Sequence, residues 1–212
     1  MGNPAVITVF GSSAVREGEP AYAQALELGA AIARAGWVLC NGGYGGTMEA
    51  TARGAKSEGG TTIGVTCRLF RSQPNPYLDE QIVAANLSER IDMLVSRADG
   101  FVVLPGGTGT LAELAVTLEM VSKGFGRARP VVLLGPYWYP VVELADRERG
   151  RLRPLVHLAH SPHQAVEHLR KGLFIDLYDA STPSPQSSPS SLMLIVSSSR
   201  KGLIYLHSMV DY

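Results

Sequence analysis

The sequence predicts an α/β fold of the Rossmann-like type, a doubly wound parallel sheet with helices on both faces. Three observations carry this expectation. From Ala5 onward, short apolar runs rich in β-branched residues alternate with longer segments of helical period. Each run is followed by a stretch that can serve as a crossover, as parallel pairing requires. The loops after the first, second and fifth runs are rich in glycine and small hydroxyl residues, and in open parallel sheets ligands bind beyond the carboxyl ends of the strands.

The first strand is read at VITVF, Val6 to Phe10, and leads into Gly11-Ser12-Ser13. A helical segment at 20–35 returns the chain to a second strand, WVLC, Trp37 to Cys40, which opens into NGGYGG. A helix at 46–58 precedes the strands TIGVT, Thr62 to Thr66, and QIVAA, Gln81 to Ala85. Leu87, Ile91, Leu94 and Val95 then mark the buried face of a helix at 87–97. The fifth strand, FVVL, Phe101 to Leu104, is ended by Pro105, and a helix at 108–124 opens at Thr108. PVVLL, Pro130 to Leu134, is the sixth strand and LVHLAH near Leu155 a weaker seventh, with helices at 138–147 and 162–171.

The 212-residue chain is 45% hydrophobic and 18% charged, with 19 basic and 19 acidic side chains, which suits one soluble domain. Zero net charge argues against a broad footprint on DNA or RNA, where affinity comes chiefly from neutralised phosphates, so no nucleic-acid partner is expected. No apolar run reaches the roughly 18 residues needed to cross a bilayer. The opening MGNPAV lacks the basic and apolar regions of a signal peptide, so a cytoplasmic protein with no membrane partner is expected. Cys40 and Cys67 lie in apolar runs without metal or CxxC spacing and are read as buried thiols in a reducing compartment. His157, His160, His163 and His168 lack the HExxH spacing of a zinc site, and most of them are read as surface or capping residues. Residues 1–178 are assigned to one nucleotide-binding α/β domain; STPSPQSSPSS begins at Ser181, and 179–212 is read as a Ser/Pro-rich linker and poorly ordered tail.

The chemistry centres on LPGGTGTLAE, Leu104 to Glu113. Gly106, Gly107 and Gly109 permit close backbone approach and positive φ, and the free amides of a helix starting at Thr108 form an anion site. The alternative is a plain glycine turn with Thr110 as the helix cap. Glu113 is either a first-turn capping residue or a carboxylate facing a substrate as general acid/base or sugar clamp. Arg90, near the buried face of its helix, can present a planar fork to a phosphate, or else pair with Glu89 or Asp92 at the surface. NGGYGGTMEA repeats the glycine-then-helix logic. The candidate ligand-binding residues are therefore Gly11, Ser12 and Ser13; Gly43, Gly45, Gly46 and Thr47; and Pro105, Gly106, Gly107, Thr108, Gly109 and Thr110. Gly11-Ser12-Ser13 does not match GxGxxG, and Cys40-Asn41 stands where an acidic ribose ligand is needed, which disfavours NAD.

PGGTGTLAE resembles the PGGxGTxxE motif of the LOG family, the cytokinin riboside 5′-monophosphate phosphoribohydrolases once labelled lysine decarboxylases. VFGSS, GGYGGTMEA and the Glu89-Arg90 helix ahead of Ala98-Asp99-Gly100 are similar in kind and order, so the resemblance runs from about residue 5 to 172. It implies a Rossmann-like fold, Arg90 and Glu113 as catalytic residues, and a phosphate-binding turn at Gly106 to Thr110. The implied reaction hydrolyses the N-glycosidic bond of a nucleoside 5′-monophosphate, N6-modified or plain AMP, to free base and ribose 5-phosphate, in a homodimer, with no metal or organic cofactor. Plant-type members carry lysine after the arginine and paired glutamates at the motif's end; here Ile91 and Ala112 stand there, as in a divergent bacterial branch. The competing reading is a non-catalytic carrier or sensor for a nucleotide or molybdenum cofactor, since molybdenum cofactor carriers resemble this fold.

Overall fold

VITVF forms β1 (Val6–Phe10), from which the rest of the sheet is laid down in both directions. The structure is a computed structural model that describes residues 3–124, 129–148 and 150–179. The order is β1, α1 (Pro20–Arg34), β2 (Val38–Asn41), α2 (Thr47–Ser57), β3 (Thr62–Cys67), β4 (Glu80–Ala84), α3 (Leu87–Ser96) and β5 (Gly100–Val103). Then follow α4 (Thr108–Ser122), β6 (Val131–Leu134), α5 (Tyr139–Asp146), a single 3-10 turn, β7 (Val156–Ala159) and α6 (Pro162–Asp179).

The seven strands pair in parallel in the order β4-β3-β2-β1-β5-β6-β7. This is the predicted doubly wound sheet. Succession runs outward from β1 through β2, β3 and β4, then jumps back to the other side of β1, where Ile7 pairs with Gly100 and Phe10 with Val103. The switch point of strand order therefore lies between β1 and β5, and in sheets of this kind the ligand crevice lies there, at the carboxyl ends of the strands.

Strand side chains alternate between two cores, as the pleat dictates. Ile7, Val9, Leu39, Val102 and Leu104 pack with Leu28 and Ile32 of α1, Ala52 of α2 and Leu169 of α6. Phe10, Cys40, Val65, Phe101 and Val103 pack with Ile91 and Leu94 of α3, Leu114 and Leu118 of α4, and Val142 of α5. Strands buried on both faces read as continuous apolar runs rather than alternating ones, which is why their pattern is clear in the sequence. Every described strand lies within one residue of its predicted bounds apart from the seventh, which the sequence places only near Leu155.

The link 68–79 between β3 and β4 contains no helix, in line with the sequence reading, and Arg68 N donates to Ala84 O and Asp79 N to Thr62 O, tying it to β4 and β3. Two details differ from expectation. Helix α6 continues to Asp179, eight residues beyond its predicted end. His157 and His168 are not surface caps but stack on each other, with ring centroids 5.0 Å apart. Cys40 and Cys67 are buried free thiols. Apart from Asp179, the predicted linker and tail lies outside the described residues. Among the described residues, no helix is long and apolar enough to cross a membrane.

Candidate active site

Arg90 enters the crevice because α3 starts abruptly just upstream. Asn86 caps this helix, its side chain accepting from Glu89 N at 2.9 Å, while Glu89 Oε2 accepts from Ala85 N at 2.6 Å. Glu89 is thus engaged in capping and does not pair with Arg90, and the surface-arginine alternative is excluded by burial: Arg90 is 6% exposed. One turn into α3, its guanidinium donates from Nε to Val65 O at 2.8 Å, from Nη2 to Gly42 O at 3.2 Å, and from Nη1 to Glu113 Oε1 at 3.0 Å. Three of the five guanidinium donors are held by three different elements, which fixes the plane of the fork. Tyr44 and Phe70 flank the cation, with ring centroids 5.7 and 5.8 Å from Arg90 Cζ, the distance range of cation–π attraction.

Glu113 comes from the second turn of α4. Its carboxylate points to Arg90 rather than back to the helix amides, so it is not a capping residue. Like Arg90 it is almost wholly buried. Burial pushes its carboxyl up to about 7, against the opposing pull of the adjacent Arg90 charge and hydrogen bond. A carboxyl poised near neutrality is suited to exchange a proton during a reaction.

The start of α4 lies at the switch point, directly after β5. Gly107 is the N-cap and makes no side-chain cap bond; Thr110 is the third residue of the helix and buried, not its cap. None of Gly106, Gly107 and Gly109 has positive φ, contrary to expectation. Their lack of a side chain matters for space instead. A Cβ on Gly106 would lie 2.2 Å from Thr110 Oγ1, whereas Cβ atoms on Gly107 or Gly109 would meet nothing within 4 Å. The first-turn amides, which have no intrahelical acceptor, are therefore approachable from outside through exposed Gly107, Thr108 and Gly109. The first turn carries no acidic residue to compete with an anion.

The second glycine loop has a structural task at Thr47 and Gly46. Thr47 N and Oγ1 both donate to Ser12 O, at 2.8 and 3.1 Å, so the first amide of α2 is already satisfied and Thr47 is not available as an anion donor. Gly46 has φ +70, and a Cβ there would lie 2.2 Å from Ser12 O; a Cβ on Gly11 would lie 2.4 Å from Thr47 Oγ1. These residues lock the loop after β1 to the loop after β2. Gly43, also at positive φ, donates to Asn41 Oδ1 and accepts from Asn75 N. A Cβ on Gly45 would have only Glu49 Oε2 nearby, at 3.8 Å. Ser12 Oγ accepts from Ala14 N at 3.0 Å, and Ser13 is exposed at the rim. Pro105 is half-buried at the turn into α4.

Four contributors are not singled out by the sequence. Gly42 supplies a carbonyl to Arg90, and a Cβ on it would lie 1.9 Å from Nη2. Val65 supplies a second carbonyl. Tyr44 accepts from Cys67 N at 2.8 Å and donates to Cys67 O at 3.2 Å, which fixes its ring beside the cation. Phe70 reaches the same cation from the helix-free link. The double glycine before Tyr44 is the available signal for the first and third; nothing in the sequence marks the other two. A separate cavity of about 340 Å³ between α4 and α5, lined by Leu114, Leu118, Val141 and Leu152, includes neither Arg90 nor Glu113. Among the described residues, no group of three or more His, Cys, Asp or Glu side chains is placed to hold a metal ion.

Fold and crevice together define a class, the open doubly wound α/β proteins with a glycine-lined ligand crevice at the switch point. The profile of the SLOG cluster4 family matches residues 4–166, and the chain belongs to that family, in agreement with the LOG motif at Pro105 to Glu113. A Mycobacterium tuberculosis protein named cytokinin riboside 5′-monophosphate phosphoribohydrolase is 38% identical over 159 residues, 71% of this chain and 81% of its own. An Escherichia coli protein named pyrimidine/purine nucleotide 5′-monophosphate nucleosidase is 27% identical over 144 residues, 63% of this chain but 31% of the longer relative. Among solved structures, the molybdenum cofactor binding protein of Rippkaea orientalis aligns with a TM-score of 0.66 at 28% identity, covering 80% of this chain and 97% of that one.

Proposed function

We propose that this protein is an enzyme that hydrolyses the N-glycosidic bond of nucleoside 5′-monophosphates, giving free base and ribose 5-phosphate. The observation that carries this reading is the buried Arg90–Glu113 pair, 3.0 Å apart, beside the open amino end of α4. The relatives named phosphoribohydrolase and nucleosidase support the reaction class.

In this reading the phosphate docks on the first-turn amides of α4, reached past Gly107 and Gly109, and the ribose lies toward Glu113. The C1′–N bond breaks with its electron pair leaving on the base, and positive charge develops at C1′. Ionised Glu113 stabilises that centre, holds ribose hydroxyls or water, and takes the proton of the water that adds to C1′; the proton is then passed to the departing base. Arg90, fixed by Val65 O and Gly42 O, orients the carboxylate and keeps its ionised form accessible despite burial.

AMP and N6-substituted AMP are the substrates to test first, and we extend the proposal to a cytoplasmic homodimer, for which light scattering at twice the chain mass is the check. The test of the reaction is chromatography of the protein incubated with AMP, N6-isopentenyl-AMP, CMP and GMP. Release of base and ribose 5-phosphate that disappears in Glu113→Gln is expected. Saturable binding with no release from any nucleotide overturns the hydrolase and favours a carrier, the reading to which the molybdenum cofactor binding neighbour points.

A further inference from the structure

Phe70 stands out among the side chains around Arg90. Tyr44, the other flanking ring, is buried at 6% exposure, yet Phe70 leaves 42% of its surface in solvent, and its neighbour Leu69 leaves 69%. The position is built rather than loose. Phe70 N donates to Cys67 O at 3.1 Å, Arg68 N donates to Ala84 O at 2.9 Å, and the Phe70 ring packs at 51° to Tyr44 with centroids 5.8 Å apart. One part of the ring thus faces the buried cation while the rest presents an apolar face to solvent.

We infer that Phe70 is the stacking platform for the base of the nucleotide and so a specificity-determining residue. The inference rests on the nucleotide reading given above. Phosphate and base lie at opposite ends of a nucleoside monophosphate. With the phosphate at the start of α4 and the ribose at Glu113, the base continues past Arg90 toward the one flanking ring that is still open to solvent. Stacking on an aromatic face is tolerant of base identity, because every base has a π surface, and it leaves selection among bases to their edges. The exposed Leu69 adjoins this apolar face in the chain.

The test is calorimetric titration of full-length protein carrying Glu113→Gln, so that AMP is not consumed, with AMP and ribose 5-phosphate as paired ligands. Adding Phe70→Leu keeps an apolar cover over Arg90 but removes the π face. The expected result is a rise of about tenfold in the AMP dissociation constant with the ribose 5-phosphate constant unchanged, and recovery of AMP affinity in Phe70→Tyr. Equal weakening of both ligands, or AMP affinity unchanged in Phe70→Leu, overturns the stacking role and leaves the site assignment standing. A parent protein that binds neither ligand overturns the nucleotide reading itself, and the stacking role with it.

Discussion

Arg90 on α3 donates to Glu113 on α4 at 3.0 Å, and each side chain is less than one-tenth exposed. A pair so buried is costly to break, because removing one partner leaves the other charged in a medium that solvates it poorly. Glu113→Gln keeps the shape and an acceptor for Arg90. It should reduce turnover by about a thousandfold or more while ligand affinity stays within a few-fold. Arg90→Ala also vacates the bonds to Val65 O and Gly42 O, so both turnover and binding should fall and stability should drop by about 3–5 kcal/mol, measured by denaturant unfolding. Wild-type rates in Glu113→Gln would remove that residue from the mechanism.

The same carboxyl links activity and stability to pH in opposite directions. Its folded pKa, about 7, lies above the ordinary value of 4.5, so between those values the folded state binds the proton more tightly than the unfolded chain does. The stability this contributes is present in full below about pH 4.5 and is lost as pH rises through about 7. In the proposed mechanism turnover requires the ionised form, so kcat/KM should rise with pH and level off above about 7. Thermal melts across the range from about pH 4.5 to about pH 8 should show a downward slope for the wild type that is shallower in Glu113→Gln. Equal slopes would place the Glu113 carboxyl at its ordinary value.

The strands and the order of the loops are legible because a sheet covered on both faces writes itself as uninterrupted apolar runs such as Val131 to Leu134. Arg90 and Glu113 are legible too, but their roles are not. Burial, which separates an active-site pair from a cap or a surface ion pair, is a property of packing between α3 and α4, distant in sequence. The engagement of Thr47 is hidden in the sequence for a related reason. Its amide and hydroxyl both donate to Ser12 O, contributed from the loop after another strand. Phe70 leaves no mark at all, since a single aromatic in a helix-free link has no periodicity to read.

Gly42 gives a sharp test of how Arg90 is held. A methyl group there would sit 1.9 Å from Nη2, and the glycine is not at positive φ, so alanine is acceptable to the backbone but not to the guanidinium. Gly42→Ala should displace the fork and lower kcat/KM by at least about tenfold, since small misplacements of catalytic groups are expensive in rate. Gly45→Ala, whose added methyl would lie 3.8 Å from Glu49 Oε2, should remain near wild type. Similar activity in the two variants would mean that Arg90 is not positioned through the Gly42 carbonyl.

Gly109 separates folding from ligand binding at the opposite end of the crevice. It is the second residue of α4, and an added methyl there meets nothing within 4 Å, so the fold does not require glycine. Alanine costs less backbone entropy in a helix, by roughly 0.5–1 kcal/mol, and Gly109→Ala should raise thermal stability accordingly. The same methyl is added on the exposed first turn whose amides are proposed to hold phosphate. Affinity for ribose 5-phosphate should therefore fall about tenfold or more even as the melting temperature rises, a trade of function against stability typical of ligand sites. A variant that is both more stable and unimpaired in ribose 5-phosphate binding would show that the phosphate lies elsewhere, and the loop after β1, with Ser12 and Ser13, would become the place to look.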